Sequence, residues 1–223
     1  MIEINEIFSD SDKRLAFWCG AVEDTNDLAG MADDIIKSGV RLVSVPYEIV
    51  PLMWVYLEKT GVNILTRFGF APKQKNIDAE IYNLSANITD VCKKGAGGVQ
   101  IFLKMADFES FIDKISVVRD DLFFEHDLCI VLDTVDIGID DWDLVFRKLR
   151  EIRAKALVLT LNEDTKYRSD FVGRIYGMLK KFDADCELHF ILNNNFDRID
   201  QVMRLVESER PELSNKLKFF LEY

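Results

Sequence analysis

The sequence predicts a (β/α)8 TIM barrel that spans residues 1–223 as a single domain, and three observations lead to that fold class. Eight short apolar runs rich in Val, Ile, Leu and Phe recur along the chain, separated by segments with helical periodicity. The runs are almost continuously hydrophobic, as parallel strands covered by helices are. Their starts are spaced by roughly 20 to 36 residues, about one β/α unit each, so the chain holds eight units.

The predicted strands are the eight apolar runs, which lie in chain order at 15–22, 41–46, 62–68, 98–103, 127–135, 155–161, 186–192 and 216–223. The intervening helical segments lie at 25–39, 47–61, 79–96, 106–127, 140–153, 167–183 and 195–213. Three of these helices are expected to stop at Gly39, Gly61 and Gly95, each of which follows a lysine-bearing last turn. Residues 2–8 predict an extra N-terminal helix at the bottom of the barrel, and no eighth helix follows the last strand.

An open, doubly wound sheet is the competing architecture. That fold usually carries a glycine-rich turn after its first strand, whereas the first strand here leads into GAVEDTND, which lacks the GxGxxG pattern. The sequence therefore favours the closed barrel.

Composition restricts the classes of partner and location. The net charge is −11, from 28 basic and 39 acidic residues, and no basic stripe offsets it, so we expect no binding to nucleic acid or to a membrane surface. No apolar run is long enough for a membrane helix and the N-terminus lacks signal-peptide features, so the expected location is cytoplasmic. The four cysteines are scattered, which predicts buried free thiols rather than disulfides or a zinc site.

Polar residues that follow barrel strands are the candidate site, because chemistry in this fold lies at the carboxyl ends of the strands. Lys104 and Asp133 each directly extend an apolar strand, and we predict them as catalytic residues. Side-chain alternation turns Lys104 toward the barrel axis if Gln100 faces inward, and toward the outer layer if Gln100 faces the helices. The predicted substrate-binding residues at the same end are Arg67, Gln100, Asn193 and Asn194.

The same strand ends indicate whether the site binds phosphate or a divalent metal ion. Phosphate-binding barrels usually hold phosphate on glycine-rich loops after strands seven and eight, but strand seven runs into NNNFDRID, without glycine. A phosphorylated substrate bound in that way is therefore not expected. Asp133 with Glu163 or Glu222 would be the oxygen ligands for a divalent ion, but an acidic chain places carboxylates everywhere, and we predict no metal and no cofactor.

The middle of the chain, about residues 40 to 135, resembles deoxyribose-phosphate aldolase and related class I aldolases. The resemblance lies in the run VRLVSVPYEIVPLMWVYLEKTGVNILTRFGFAP, in KKGAGGVQIFLK and in the strand CIVLDT. It implies an aldolase-type barrel, but the family's strand-four aspartate falls on Gln100. The family's lysines on strands six and seven fall within ALVLTL and HFILNNN, which contain none. Lys104 is then the one lysine at a strand top for a Schiff base.

Three functions remain open from the sequence. The first is an aldolase-like lyase in which Lys104 forms the Schiff base with a small carbonyl or sugar-derived substrate, Asp133 transfers protons, and the two asparagines orient hydroxyls. The second is a metal-assisted barrel enzyme of another class. The third is a barrel without catalysis that binds or supports a partner, which a top face plugged by Phe68, Phe70, Phe102 and Tyr223 would favour. Aromatic residues on helices, such as Trp54, Tyr56 and Trp142, leave a homo-oligomer open if they are exposed, but packing onto the barrel wall is their expected role.

Overall fold

A computed structural model describes residues 13–20, 25–70, 77–123, 125–161, 170–183 and 185–223. The described residues form a closed barrel of eight strands in chain order, and every neighbouring pair of strands is parallel. The predicted barrel is therefore confirmed. The predicted helix at 2–8 lies outside the described residues.

The strands are shorter than the apolar runs that predicted them. They are β1 Leu15–Trp18, β2 Leu42–Val45, β3 Asn63–Gly69, β4 Gly98–Phe102, β5 Asp127–Asp133, β6 Ala156–Thr160, β7 Glu187–Ile191 and β8 Leu217–Glu222. The apolar residues that follow a strand continue into the loop and still pack in the core, as Cys19, Leu103 and Leu161 do. Hydrophobicity records burial, whereas a strand ends where its hydrogen bonds to both neighbours end.

Seven α-helices cover the outside of the barrel in the described part of the chain. They are α1 Thr25–Ser38, α2 Val50–Leu57, α3 Ile77–Lys93, α4 Met105–Phe123, α5 Trp142–Glu151, α6 Phe171–Lys181 and α7 Phe196–Glu209. The predicted glycine stops have left-handed φ angles of 73° at Gly39, 74° at Gly61 and 111° at Gly95. The segment predicted as one helix over 47–61 instead begins with a 3-10 turn, Tyr47–Ile49, because Pro51 fits only the first turn of the α-helix that follows.

The side chains that face the barrel axis form successive layers, whose heights follow from the strand registers. The odd strands supply a lower layer of Ala16, Leu65, Cys129 and His189. The even strands supply a middle layer of Ser44, Gln100, Val158 and Phe220. The odd strands again supply an upper layer of Trp18, Arg67, Val131 and Ile191. Each layer contains a polar residue or a thiol, so the inside of the barrel is less apolar than the core between the strands and the helices.

Candidate functional site at the carboxyl ends of the strands

Gln100 faces the barrel interior, which is the first of the two orientations that the sequence left open. Its Oε1 accepts a hydrogen bond of 2.6 Å from the Ser44 hydroxyl. Since β2 and β4 are separated by β3, these side chains meet only across the interior. Gln100 is fully buried, and its Nε2 has no hydrogen-bond partner among the described residues. A buried amide donor without a partner is unfavourable by about 1–3 kcal/mol unless a ligand or water satisfies it.

Lys104 and Asp133 lie at the carboxyl ends of the neighbouring strands β4 and β5. Phe102 pairs with Val131 in the β4–β5 register, and the Leu103 N–H donates to the Val131 carbonyl at 3.0 Å. Lys104 and Asp133 each come two residues after that pair. Alternation turns Asp133, the last residue of β5, toward the axis, whereas Lys104 lies beyond the end of β4, directly before α4.

The two residues differ in their surroundings. Lys104 is exposed, and its carbonyl accepts the Asp107 N–H at the start of α4. Asp133 is half-buried, and its Oδ1 accepts the Val135 N–H at 2.9 Å, which fixes the turn that follows β5. The lysine amine is therefore accessible from solvent, whereas the carboxylate is oriented by the backbone.

Arg67 belongs to the wall of the mouth. Its guanidinium lies 4.0 Å from the centroid of the Trp18 ring and donates a hydrogen bond of 2.6 Å to the Cys19 carbonyl. Burial lowers the pKa of Arg67, while the neighbouring Cys19 and Glu48 oppose the shift. An arginine remains charged despite such a shift, so Arg67 brings a cation to the upper layer and ties β3 to the end of β1.

Aromatic rings fill much of the upper interior. The Trp18 ring packs edge-on against Phe102, with centroids 5.9 Å apart, and against Phe220 at 6.0 Å. Of the four residues proposed from sequence as a plug, only Phe102 lies in this group. Phe68 stacks on Tyr47, Phe70 packs against Phe111, and Tyr223 packs against Phe17 and donates to Asp34.

Asn193 and Asn194 form the turn that follows β7, with φ angles of 49° and 55°. The Asn194 side chain donates to the Glu222 carbonyl at 3.2 Å and accepts from the Glu222 N–H at 2.8 Å. Both polar atoms of the Asn194 amide are therefore engaged with the end of β8. Asn193 is exposed. Their predicted contact with substrate remains a prediction.

The interior positions of β6 and β7 agree with the gaps in the sequence resemblance. Alternation turns Ala156, Val158 and Thr160 of β6 inward, together with His189 and Ile191 of β7. None is lysine, so these strands supply no Schiff-base amine from within the barrel.

The part of the chain that the structure describes contains no group of three His, Cys, Asp or Glu side chains suited to a metal ion. Glu163, one proposed ligand, lies outside that part. Glu222 is exposed at the end of β8.

All four cysteines are free, as predicted. Burial raises the pKa of Cys19 to about 12, against the Arg67 charge, and raises the pKa of Cys186 and of Cys92 to about 11. Burial also raises the pKa of Cys129. Thiols with such pKa values are poor nucleophiles at neutral pH, so they do not add to the site.

A polar network that sequence reasoning missed lies at the opposite, amino-terminal end of the barrel. Glu187 pairs with Lys155 at 2.9 Å and with Nε2 of the buried His189 at 2.8 Å. Burial acts to raise the pKa of Glu187, but the bonds from His189 and Lys155 bring it down to about 2. A cavity of about 220 Å³ borders this network. The amino-terminal end of a barrel usually contributes to stability, and Glu187, Lys155 and His189 mainly form hydrogen bonds and ion pairs with one another.

Two further members of the site were missed as well. Trp18 lines the upper layer and Ser44 the middle layer, and neither is among the predicted site residues. The alternation within LAFW and LVSV places Trp18 on the same side as Ala16 and Ser44 on the same side as Leu42, so the pattern existed. Which of the two sides of each strand faces the barrel axis follows only from the closed barrel.

Among the described residues, no helix is long and apolar enough to span a membrane. No family model matches this sequence, and no curated protein matches it.

Solved structures with the same architecture do match. The aldolase QR15 has a TM-score of 0.69 and 8% identity, over 96% of this chain and 92% of that one. The tetrameric deoxyribose phosphate aldolase from Aeropyrum pernix has a TM-score of 0.68 and 12% identity, over 98% and 90% of the two chains. Orotidine 5'-phosphate decarboxylase from Pyrococcus horikoshii has a TM-score of 0.59 and 10% identity, over 93% of this chain and 88% of that one. At such identities the likeness concerns the fold, and the chain is a (β/α)8 barrel with the architecture of the deoxyribose-phosphate aldolases.

Proposed function

We propose that this protein is an aldolase-type lyase that acts on a small carbonyl or sugar-derived compound through a Schiff base on Lys104. What supports this proposal is the position of Lys104 and Asp133 at the carboxyl ends of neighbouring strands, each two residues beyond the Phe102–Val131 pair. An accessible amine and an oriented carboxylate at the same end of the barrel are the minimum that Schiff-base chemistry requires.

In the proposed reaction, the neutral Lys104 amine attacks the substrate carbonyl carbon and water leaves, giving a protonated imine. Asp133 then accepts the proton of the β-hydroxyl as the carbon–carbon bond breaks, and the bonding electrons pass into the imine to form an enamine. Protonation of the enamine and hydrolysis release the second product and restore the amine. Arg67 lies in the same mouth, where it would attract polar substrate groups.

The substrate is proposed to carry no phosphate. The turn after β7 holds no glycine, and the Asn195 side chain already accepts the Arg198 N–H at the start of α7. The backbone donors that phosphate-binding barrels offer at this helix are therefore partly used.

A second candidate is a barrel that binds a small ligand without catalysis. The packed rings of Trp18, Phe102 and Phe220 favour it, because they leave little room below the mouth for a reacting substrate. The unpartnered Gln100 Nε2 beneath them would then donate to a ligand atom or to water.

Borohydride reduction of the protein with small aldehydes and ketones tests the first candidate. We expect one adduct per chain on Lys104, found by peptide mass mapping, that is lost in Lys104→Arg and kept in Lys59→Arg, whose side chain is 90% exposed. Asp133→Asn should still be trapped but should lose roughly 10²- to 10⁴-fold in turnover, the usual contribution of a general acid or base. No adduct with any carbonyl compound, or an adduct on another lysine, would refute the lyase and leave ligand binding.

We further propose that the protein is a cytoplasmic homo-oligomer. Four free thiols suit a reducing compartment. The tetramer of the Aeropyrum pernix enzyme supports self-association within this fold.

A further inference from the structure

A cavity of about 220 Å³ lies at the amino-terminal end of the barrel, where it contacts three of the four side chains of the lower layer. Its wall includes the first residues of β3, β5 and β7, which are Asn63, Asp127 and Glu187. Each of these residues comes two positions before a member of the lower layer, so alternation turns all three toward the axis. Polar side chains therefore surround the space below the lower layer.

The charge around this cavity is opposite to the charge of the whole chain. The lining holds four cations and two carboxylates, a balance of +2, whereas the chain carries −11. The four cations are Lys13, Arg41, Lys155 and Lys218. A concave surface with an excess of one charge concentrates ions of the opposite charge from solution. The cavity therefore favours an anion.

Three of the four cations have no carboxylate partner among the residues that the structure describes; only Lys155 belongs to an ion pair. Arg41 donates a hydrogen bond of 2.7 Å to the Thr60 carbonyl. Lys218 donates one of 3.2 Å to the carbonyl of Lys13. A guanidinium has five N–H donors and an ammonium has three, so these bonds leave charged donors for the oxygen atoms of a ligand.

His189 adds a buried acceptor to the same cavity. The residue is 1% exposed, and its Nε2 lies 2.8 Å from the Glu187 carboxylate. A carboxylate can only accept, so Nε2 carries the proton of the neutral ring and Nδ1 is left as an acceptor. Nδ1 is buried and has no hydrogen-bond partner in the described part of the chain. A buried acceptor in this state is unfavourable unless a ligand or water donates to it.

We propose that this cavity binds a small hydroxycarboxylate. Its carboxylate oxygens accept hydrogen bonds from the three cations that lack a carboxylate partner, and its hydroxyl donates to Nδ1 of His189. The volume is about seven times the ~30 Å³ that one water molecule occupies in the liquid, so a compound of this size fits. The site lies at the opposite end of the barrel from Lys104 and Asp133, and it does not depend on the proposed lyase.

Calorimetric titration with malate and with succinate tests the ligand class, because these two dicarboxylates differ only by the hydroxyl. We expect one malate per chain, with a Kd on the order of 0.1–1 mM, and binding of succinate that is about tenfold weaker or more.

Substitution of single cations tests the position of the site. Lys218→Met and Arg41→Gln should each weaken malate binding by about tenfold or more. Lys59→Met is the matched control, because it removes the same charge from a side chain that is 90% exposed and outside the cavity. It should leave the affinity unchanged. Circular dichroism shows which variants are folded, and Arg41→Gln keeps the test valid if Lys218→Met is not, since Arg41 is exposed.

Nitrogen NMR of the histidine rings follows the proposed hydrogen bond directly. The chain has two histidines, so His126→Gln leaves His189 as the single labelled ring. Malate should move the Nδ1 resonance of this ring, and succinate should not. Absence of malate binding at about 10 mM, equal binding of succinate, or an Nδ1 resonance that malate leaves in place would overturn the proposal. Equal weakening in Lys59→Met and in the cavity variants would also overturn it, because the net charge alone would then explain the binding.

Discussion

At the scale of single residues, Gly95 shows two constraints acting on one position. The sequence indicates a glycine that ends a helix, and its φ of 111° confirms that the backbone there suits glycine alone. The structure adds that a β-carbon at this position would meet the Trp54 ring. A helix stop can thus also be a packing site for a neighbouring helix.

Gly95→Ala should therefore destabilise the protein by about 2–4 kcal/mol, since it combines an unfavourable φ with a steric clash. Gly177→Ala is the matched control, because Gly177 lies inside α6 with nothing near its missing β-carbon. The control should gain about 0.5–1 kcal/mol from helix propensity. Urea unfolding of both variants measures the difference, and equal effects would contradict the assigned role of Trp54.

At the scale of elements, the turn after β7 connects the last two strands. Asn193 and Asn194 are predicted to bind substrate because they follow a strand at the carboxyl end of the barrel. In the structure Asn194 makes two hydrogen bonds to the backbone of Glu222, so one amide side chain aligns the ends of β7 and β8. A polar residue at a strand end serves the architecture whenever a neighbouring strand leaves backbone groups within its reach.

Asn194→Gly keeps the left-handed backbone accessible but removes both hydrogen bonds, and should destabilise the protein by about 1–2 kcal/mol. Asn193→Gly accommodates a similar φ, and should change the free energy of unfolding by less than about 0.5 kcal/mol. Chemical denaturation distinguishes them. A larger effect at position 193 would show that the hydrogen bonds to β8 are not what the turn contributes.

At the scale of the whole molecule, His189 links the barrel interior to pH. Burial lowers the pKa of His189, although the bond to Glu187 opposes the shift, so the ring binds a proton less readily in the folded chain than in the unfolded one. Below an unfolded pKa of about 6.5, the unfolded chain therefore binds more protons at this position than the folded chain. The free energy of unfolding should therefore fall as the pH drops from 7 to 5.

The contribution of His189 should change the free energy of unfolding by at most about 1.4 kcal/mol per pH unit. His189→Gln should flatten the dependence between pH 5 and 7, whereas His126→Gln, which retains His189, should preserve it. Stability measured by denaturation across this range tests the prediction, and an unchanged slope in His189→Gln would contradict it. The carboxylate of Glu187 contributes separately, since its stabilising effect is present above pH 4.5 and is lost only as the pH falls through about 2.

The sequence by itself determined the fold class, the order of the strands and the three glycines that follow helices, because these depend on hydrophobic periodicity and on glycine backbone preferences. It also located Lys104 and Asp133 at strand ends, since adjacency along the chain was enough. Only the tertiary structure decided that Gln100 faces Ser44, that Trp18 joins Phe220, and that four cations border one cavity at the amino-terminal end. Those contacts join residues from distant strands and helices, and their partners are set by the closure and register of the barrel, which no local pattern encodes.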